Sequence, residues 1–353
     1  MFSAVPSAGG AALLWGAVAF LFVHLRRRRD ARAQVVPGYT GDACAAGVRR
    51  ATRHRVVLRS RGESLPLDVC VAPPPGGLRT TEEEEAAVVV VYVLDPEPML
   101  FGAATLFAFA RATRAAAGGV QGTDPAGGVF RSRMVIVGVG RAGGGFGLSG
   151  AGLDVRALDA MREADALGER FVAGLVDEVI PFVEARVLGF VPGRSPPVRR
   201  ALLGHGFSAL AAVRAMIHRP GVFDDYVLGS PPAVLDVEVL DHLGGARAAA
   251  GGVKNGESSR ARMDPPGALV MVGERERSGR TAVGKLHPAL PAGVRDLAQC
   301  LRGTGVQVVG PCDVPGEDHH TVGLSVVSRG LTWVANRACG RSREDEEDEE
   351  EED

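Results

Sequence analysis

The run AVVVVYVLD, from Ala87 to Asp95, is apolar at every position up to its closing aspartate. A strand with one wet face alternates, so a run without alternation needs cover on both sides. That is the condition of a strand inside a parallel sheet, and it demands helices above and below. The rest of the chain meets the demand. RMVIVGVG (Arg133 to Gly140), RRALLG (Arg199 to Gly204), YVLGS (Tyr226 to Ser230), ALVMVGE (Ala268 to Glu274) and VQVVG (Val306 to Gly310) read as further strands.

Helical patterns fall between these runs. They lie near Leu100 to Ala115, over Leu167 to Val187, from Phe207 to His218, near Ala233 to Leu243, over Pro291 to Gly303 and over Thr321 to Arg337. In the second of them Phe171, Leu175, Val179, Phe182 and Val183 share one face. Ahead of all these, RVVLRSRGESLPLDVCV (Arg55 to Val71) alternates on both sides of an Arg-Gly-Glu-Ser turn and predicts an antiparallel hairpin. The expected fold class is α/β: a mostly parallel central sheet, an antiparallel N-terminal hairpin and helices on both faces. One domain over 51–337 accounts for it.

The flanks read differently. Ala8 to Leu25 carries no Asp, Glu, Lys or Arg and has the length of a single membrane span, with Arg26 to Arg29 on its C-terminal side. That order predicts a membrane anchor over 1–30 with the arginines, and the domain, facing the cytoplasm; secretion or import into an organelle are the alternatives. Residues 31–50 read as a linker. Every residue from Glu344 to Asp353 is acidic, so the net charge of −2 hides a remainder with 40 basic against 32 acidic residues. The stretch 338–353 is expected to be a disordered acidic tail, with docking to a basic protein partner as the other reading. The sequence shows no interleaving of basic and aromatic residues of the kind that reads nucleic acid. Five cysteines without Cys-x-x-Cys spacing argue against a disulfide framework. The polar or glycine-rich stretches 80–85, 141–152 and 244–267 read as insertions.

At the strand-to-helix junction the sequence runs Gly204-His205-Gly206-Phe207-Ser208-Ala209. With VYVLDPEPMLFG, RFVAGLVDEVIPFVEAR, LVMVGERE and GEDHHTVGLSVVSRGLTWV, this stretch resembles the esterase family of α/β-hydrolases that contains the siderophore (ferric enterobactin) esterases. The resemblance covers nearly all of 50–337. It implies the α/β-hydrolase fold and carboxylic ester hydrolysis by a serine, a histidine and, in some members, an acid. The family's elbow reads G-H-S-x-G-G, so Gly206 stands at the nucleophile's place. Glycine cannot form an acyl-enzyme, although it accepts the positive φ of such a turn without strain.

Further roles follow from the resemblance. His319 matches the catalytic histidine, with His320 as its fallback and Thr321 as the small hydroxyl residue that follows. Glu274 or Glu276 would supply the acid, or both are surface residues. Phe207 N–H and a donor at Asp95 or Glu97 would form the oxyanion hole, since Pro96 and Pro98 have no N–H. Ser208 lies two residues past the expected nucleophile, about 200° further round a helix. It reads either as a displaced nucleophile or as a small helix-start residue satisfied locally. Two functions stay open: an esterase relative with impaired catalysis, or a non-catalytic relative binding an ester-like small molecule or a protein in the old cleft.

Other signals carry less. GVGRAG (Gly138 to Gly143) fits a dinucleotide fingerprint but runs into more glycine where a helix should begin. His205, His218, His242 and His287 lack metal-ligand spacing. Neither a metal nor an organic cofactor is expected.

Overall fold

The structure, a computed structural model, describes residues 34–35, 51–58, 65–74, 88–94, 102–108, 133–141, 170–191, 198–231, 265–277, 290–319 and 321–338. The expected anchor over 1–30, most of the linker and the acidic tail beyond Ala338 lie outside these residues, as do the three insertions apart from Arg141 and residues 265–267. Among the described residues no helix is long and apolar enough to cross a membrane.

Among the described residues nine strands form one sheet: β1 (Gln34–Val35), β2 (Thr52–Leu58), β3 (Leu65–Ala72), β4 (Val88–Leu94), β5 (Arg133–Arg141), β6 (Val198–His205), β7 (Asp225–Gly229), β8 (Gly267–Gly273) and β9 (Gln307–Val314). Their spatial order is β1-β2-β3-β5-β4-β6-β7-β8-β9. The first three strands and the β3–β5 contact are antiparallel, and every pairing from β5 to β9 is parallel. The predicted hairpin is β2–β3. The two-residue β1, paired with β2, falls in the stretch read as a linker.

Helix α1 spans 102–108, α2 spans 170–187, α3 is Phe207–His218, α4 is Glu274–Arg277, α5 is Leu290–Gly303 and α6 is Val322–Ala338. The expected helix near Ala233 to Leu243 lies outside the described residues. All seven residues of β4 are buried. Val88, Val90, Tyr92 and Leu94 face one core with α2, α3 and α5, while Val89, Val91 and Val93 face another with α1 and α6. The unbroken apolar run is therefore shared between two cores in alternate positions. Within α2 the five residues expected on one face are all buried. That helix widens into π-helical turns over Leu175–Val179 and Phe182–Val187. Pro181 sits between them and has no N–H to give the regular ladder.

The amino ends of the strands carry ion pairs. Asp225, fully buried at the start of β7, accepts two hydrogen bonds from Arg199 (2.6 and 3.0 Å) and one from Arg337 (2.7 Å). Arg337 also donates to Gln307 Oε1 and to the Pro265 carbonyl, tying α6 to the starts of β8 and β9. A second network joins Arg200 to Glu184 by two bonds of 2.6 and 2.7 Å beneath the Tyr92 hydroxyl, which donates to Glu184 at 3.3 Å. Burial first, and the neighbouring carboxylate second, push the Tyr92 phenol well above its usual range. These charges fasten helices to one edge of the sheet and leave the opposite edge for other work.

The chain lays β5 on one side of β4 and then crosses to lay β6 on the other. Open parallel sheets place ligands at the carboxyl ends of strands flanking such a reversal. Asp225→Ala strips the shared anion from Arg199 and Arg337 at the far edge. The expected loss is about 3–5 kcal/mol in urea unfolding, with a shift of less than about 1 kcal/mol contradicting the anchoring role.

Candidate functional site

Beyond β6 the pairing with β7 continues for one more bond, from Gly206 N–H to the Gly229 carbonyl at 2.8 Å. The chain then reverses at once into α3. Gly206 makes this turn at φ +60° and ψ −126°, a conformation L side chains rarely adopt, and its carbonyl accepts the Ala209 N–H at 3.0 Å. Gly204 permits the close return of the helix: a Cβ there would press on the Ser208 carbonyl and the Ala209 nitrogen. Gly206 thus forms a sharp strand-to-helix elbow, with the Phe207 N–H at the unpaired start of α3. The Phe207 side chain, His320, Asp95 and Glu97 lie outside the described residues.

A Cβ placed on Gly206 would meet His319 Cε1 and Nε2, each at 3.4 Å, and, its chain neighbours aside, nothing else within 4 Å among the described residues. The elbow and the histidine, 113 positions apart in sequence, therefore face each other. His319 belongs to the loop between β9 and α6. Its Nδ1 is 3.1 Å from Glu276 Oε2, and its ring lies 4.7 Å from that of His205 at a tilt of 35°.

Glu276 is held from several sides. Its Oε1 accepts the Ser230 hydroxyl at 2.7 Å and the Gly273 N–H at 2.9 Å, while Oε2 faces His319. The side chain is fully buried. Burial alone would raise its carboxyl, but hydrogen bonds from His319 and Ser230, the charge interaction with His319 and the Gly273 N–H together hold it below the usual range. An ionised carboxylate there orients the His319 ring through Nδ1, with the Cε1–Nε2 edge toward the elbow.

Glu274 has a different task. Its Oε2 accepts the Gly316 N–H at 2.7 Å, and the next residue, Arg275, donates its N–H to the Glu317 carbonyl at 2.9 Å. Helix α4 thus clasps the loop that carries His319 through three consecutive residues. On the other side of His319, Asp318 and Thr321 exchange backbone-to-side-chain bonds at the start of α6. The Asp318 carboxylate caps the helix by accepting the Thr321 N–H, and the Thr321 hydroxyl accepts the Asp318 N–H in return, which fixes the loop's exit.

Ser208 is 2% exposed, and its hydroxyl has no hydrogen-bond partner among the described residues. The expectation that it would be satisfied locally is corrected by this, and its hydroxyl makes no bond to His319. His218 ends α3; His242 and His287 lie outside the described residues. Among the described residues no three His, Cys, Asp or Glu side chains gather in a metal-binding group. Ser230 went unnoticed in the sequence, where it read as the end of a strand. It is fully buried at φ +41°, and the strained backbone aims its hydroxyl at Glu276. No periodic pattern signals such a residue; a serine closing a buried parallel strand is the only hint.

The chain folds as an α/β-hydrolase. The siderophore hydrolase EstA from Aspergillus nidulans superposes with a TM-score of 0.54 at 19% identity, covering 86% of this chain and 98% of that one. EstB from the same organism gives a TM-score of 0.52 at 20% identity, covering 80% and 94%. In sequence the chain is similar to the siderophore triacetylfusarinine C esterase of Aspergillus fumigatus, at 31% identity over 171 residues. That match takes in 45% of this chain and 58% of the esterase, so it spans less than two thirds of the relative. No family model matches the chain. On this α/β-hydrolase frame the elbow after β6, the acid after β8 and the histidine after β9 follow the chain order that the fold's serine enzymes use.

Because the Glu276 carboxyl is lowered by folding, the unfolded chain binds its proton more readily. Its contribution to stability is complete above the ordinary value of 4.5 and is lost as pH falls through the lower, folded value. Urea unfolding of wild type and Glu276→Gln between about pH 6 and 3 should show a stability gap that narrows on acidification. A gap that widens as pH falls would contradict an ionised, hydrogen-bonded Glu276.

Proposed function

We propose that this chain is a siderophore-esterase-like α/β-hydrolase relative that holds a carboxylic ester or ester-like small molecule at the carboxyl edge of the sheet and lacks the acyl-enzyme route. One observation carries the reading. The elbow residue directs its Cβ position at His319 Nε2 from 3.4 Å, and that residue is Gly206. Acyl transfer through serine needs an oxygen on that carbon, hydrogen-bonded to the imidazole. Base, acid and elbow are in register, and the nucleophile is the part not supplied.

Ser208 does not replace it in this reading. A buried hydroxyl two residues into the turn has no base bonded to it among the described residues. Loss of the triad serine alone costs about 10⁶-fold in kcat in a serine protease, and what remains comes from binding and the oxyanion hole. The ligand class is supported by the likeness to the fungal siderophore esterases; binding of a protein partner at the same edge rests on no comparable observation. Gly206 also spares the fold the strain of a side chain at positive φ, about 1–3 kcal/mol.

The test is Gly206→Ser in the full chain. Wild type should resist a fluorophosphonate probe. The variant should take it up and hydrolyse 4-nitrophenyl butyrate, both lost on adding His319→Ala, at a stability cost of about 1–3 kcal/mol. Wild-type labelling that disappears in Ser208→Ala would overturn the reading.

A further inference from the structure

We propose that His319 and Glu276 give this chain a second-order esterase activity of their own, in which a water activated at His319 Nε2 attacks the ester directly and no acyl-enzyme forms. The inference rests on the reading that the site holds an ester, and adds what the residues there do to it. Within 4 Å of the Cβ position on Gly206, its chain neighbours aside, the described residues offer only the two His319 atoms. A water oxygen near that position needs to move only a few tenths of an ångström toward Nε2 to make an ordinary hydrogen bond. The same spot lies beside the Phe207 N–H at the start of α3, the donor the elbow offers to a developing oxyanion.

The base is already prepared. Glu276 accepts from Ser230, Gly273 and His319 at once, so the imidazole is oriented without any contribution from residue 206. Burial of Glu276 keeps bulk water from competing for those bonds. An enzyme relying on a serine would need the same assembly, and removing the serine leaves it intact because no bond of the assembly passes through residue 206.

The reaction balances without a co-reactant. The water passes a proton to His319 Nε2 while its oxygen forms a bond to the ester carbon, and the C=O π pair moves onto oxygen. The resulting tetrahedral anion collapses and the bond to the alcohol oxygen breaks. The imidazolium returns its proton to the leaving alkoxide. A carboxylic acid, an alcohol and neutral His319 result. A general base of this kind contributes about 10²–10⁴-fold, so esters with good leaving groups are the substrates within reach.

The experiment compares full-length wild type, His319→Gln, Glu276→Gln and Gly206→Ser on 4-nitrophenyl butyrate, with stopped-flow release of nitrophenolate. Wild type should turn over slowly and linearly, without a burst, and without fluorophosphonate uptake. His319→Gln should lower that rate by about 10²-fold or more, and Glu276→Gln should lower it as well. Gly206→Ser should show a burst and uptake of the probe. If Gly206→Ser is active but wild type is no faster than His319→Gln, the water mechanism is overturned and the ester-binding reading stands. If Gly206→Ser neither reacts with the probe nor hydrolyses the ester, the reading falls and this inference with it. A burst in wild type would overturn both.

Discussion

The hydrogen bond between Glu276 and His319, 3.1 Å long, joins helix α4 to the loop after β9, which meet because β8 and β9 are neighbours in a parallel sheet. Around it the molecule places redundant supports. Ser230, at the end of β7, and the Gly273 backbone hold the carboxylate from one side. Glu274 and the Arg275 N–H hold the histidine loop from the other. Burying a carboxylate is costly unless its oxygens are satisfied, and here three donors satisfy them. A surface pair with no role beyond solvation would need none of this.

Against that investment stands the bare α-carbon at residue 206. The elbow keeps its positive φ, its bond to Gly229 and its immediate passage into a helix. The geometry of acyl transfer and the chemistry of acyl transfer are thereby separated: the first belongs to the backbone, the second to a side chain. On the proposed reading this chain keeps the former without the latter, because the bonds that build the elbow run through the backbone. Stability also gains from glycine at this turn.

Much of the sheet was legible because β4 has an apolar residue at every position and must be covered twice. The elements that escaped reading are those without a period. β1 is two residues long, and the strand read as Val306 to Gly310 runs on through Pro311 to Val314. Proline is tolerated there because the β8–β9 ladder shifts register between Val309 and Cys312, so Pro311 falls in the irregularity. At the site, sequence order placed an acid before His319 but left Glu274 and Glu276 equivalent. The chain turns into α4 at Glu274, so residues two apart point about 200° from each other, and only Glu276 enters the core. Ser230 stayed hidden because its role comes from a backbone conformation, φ +41°, that no residue pattern announces.

On the reading proposed above, His319 is held ready for an oxygen on residue 206. A crystal structure of Gly206→Ser addresses it most directly. The introduced hydroxyl should lie about 2.6–3.2 Å from His319 Nε2, with the bond from Nδ1 to Glu276 preserved. A hydroxyl turned away from the imidazole, or a His319 that abandons Glu276 to make room, would contradict the account.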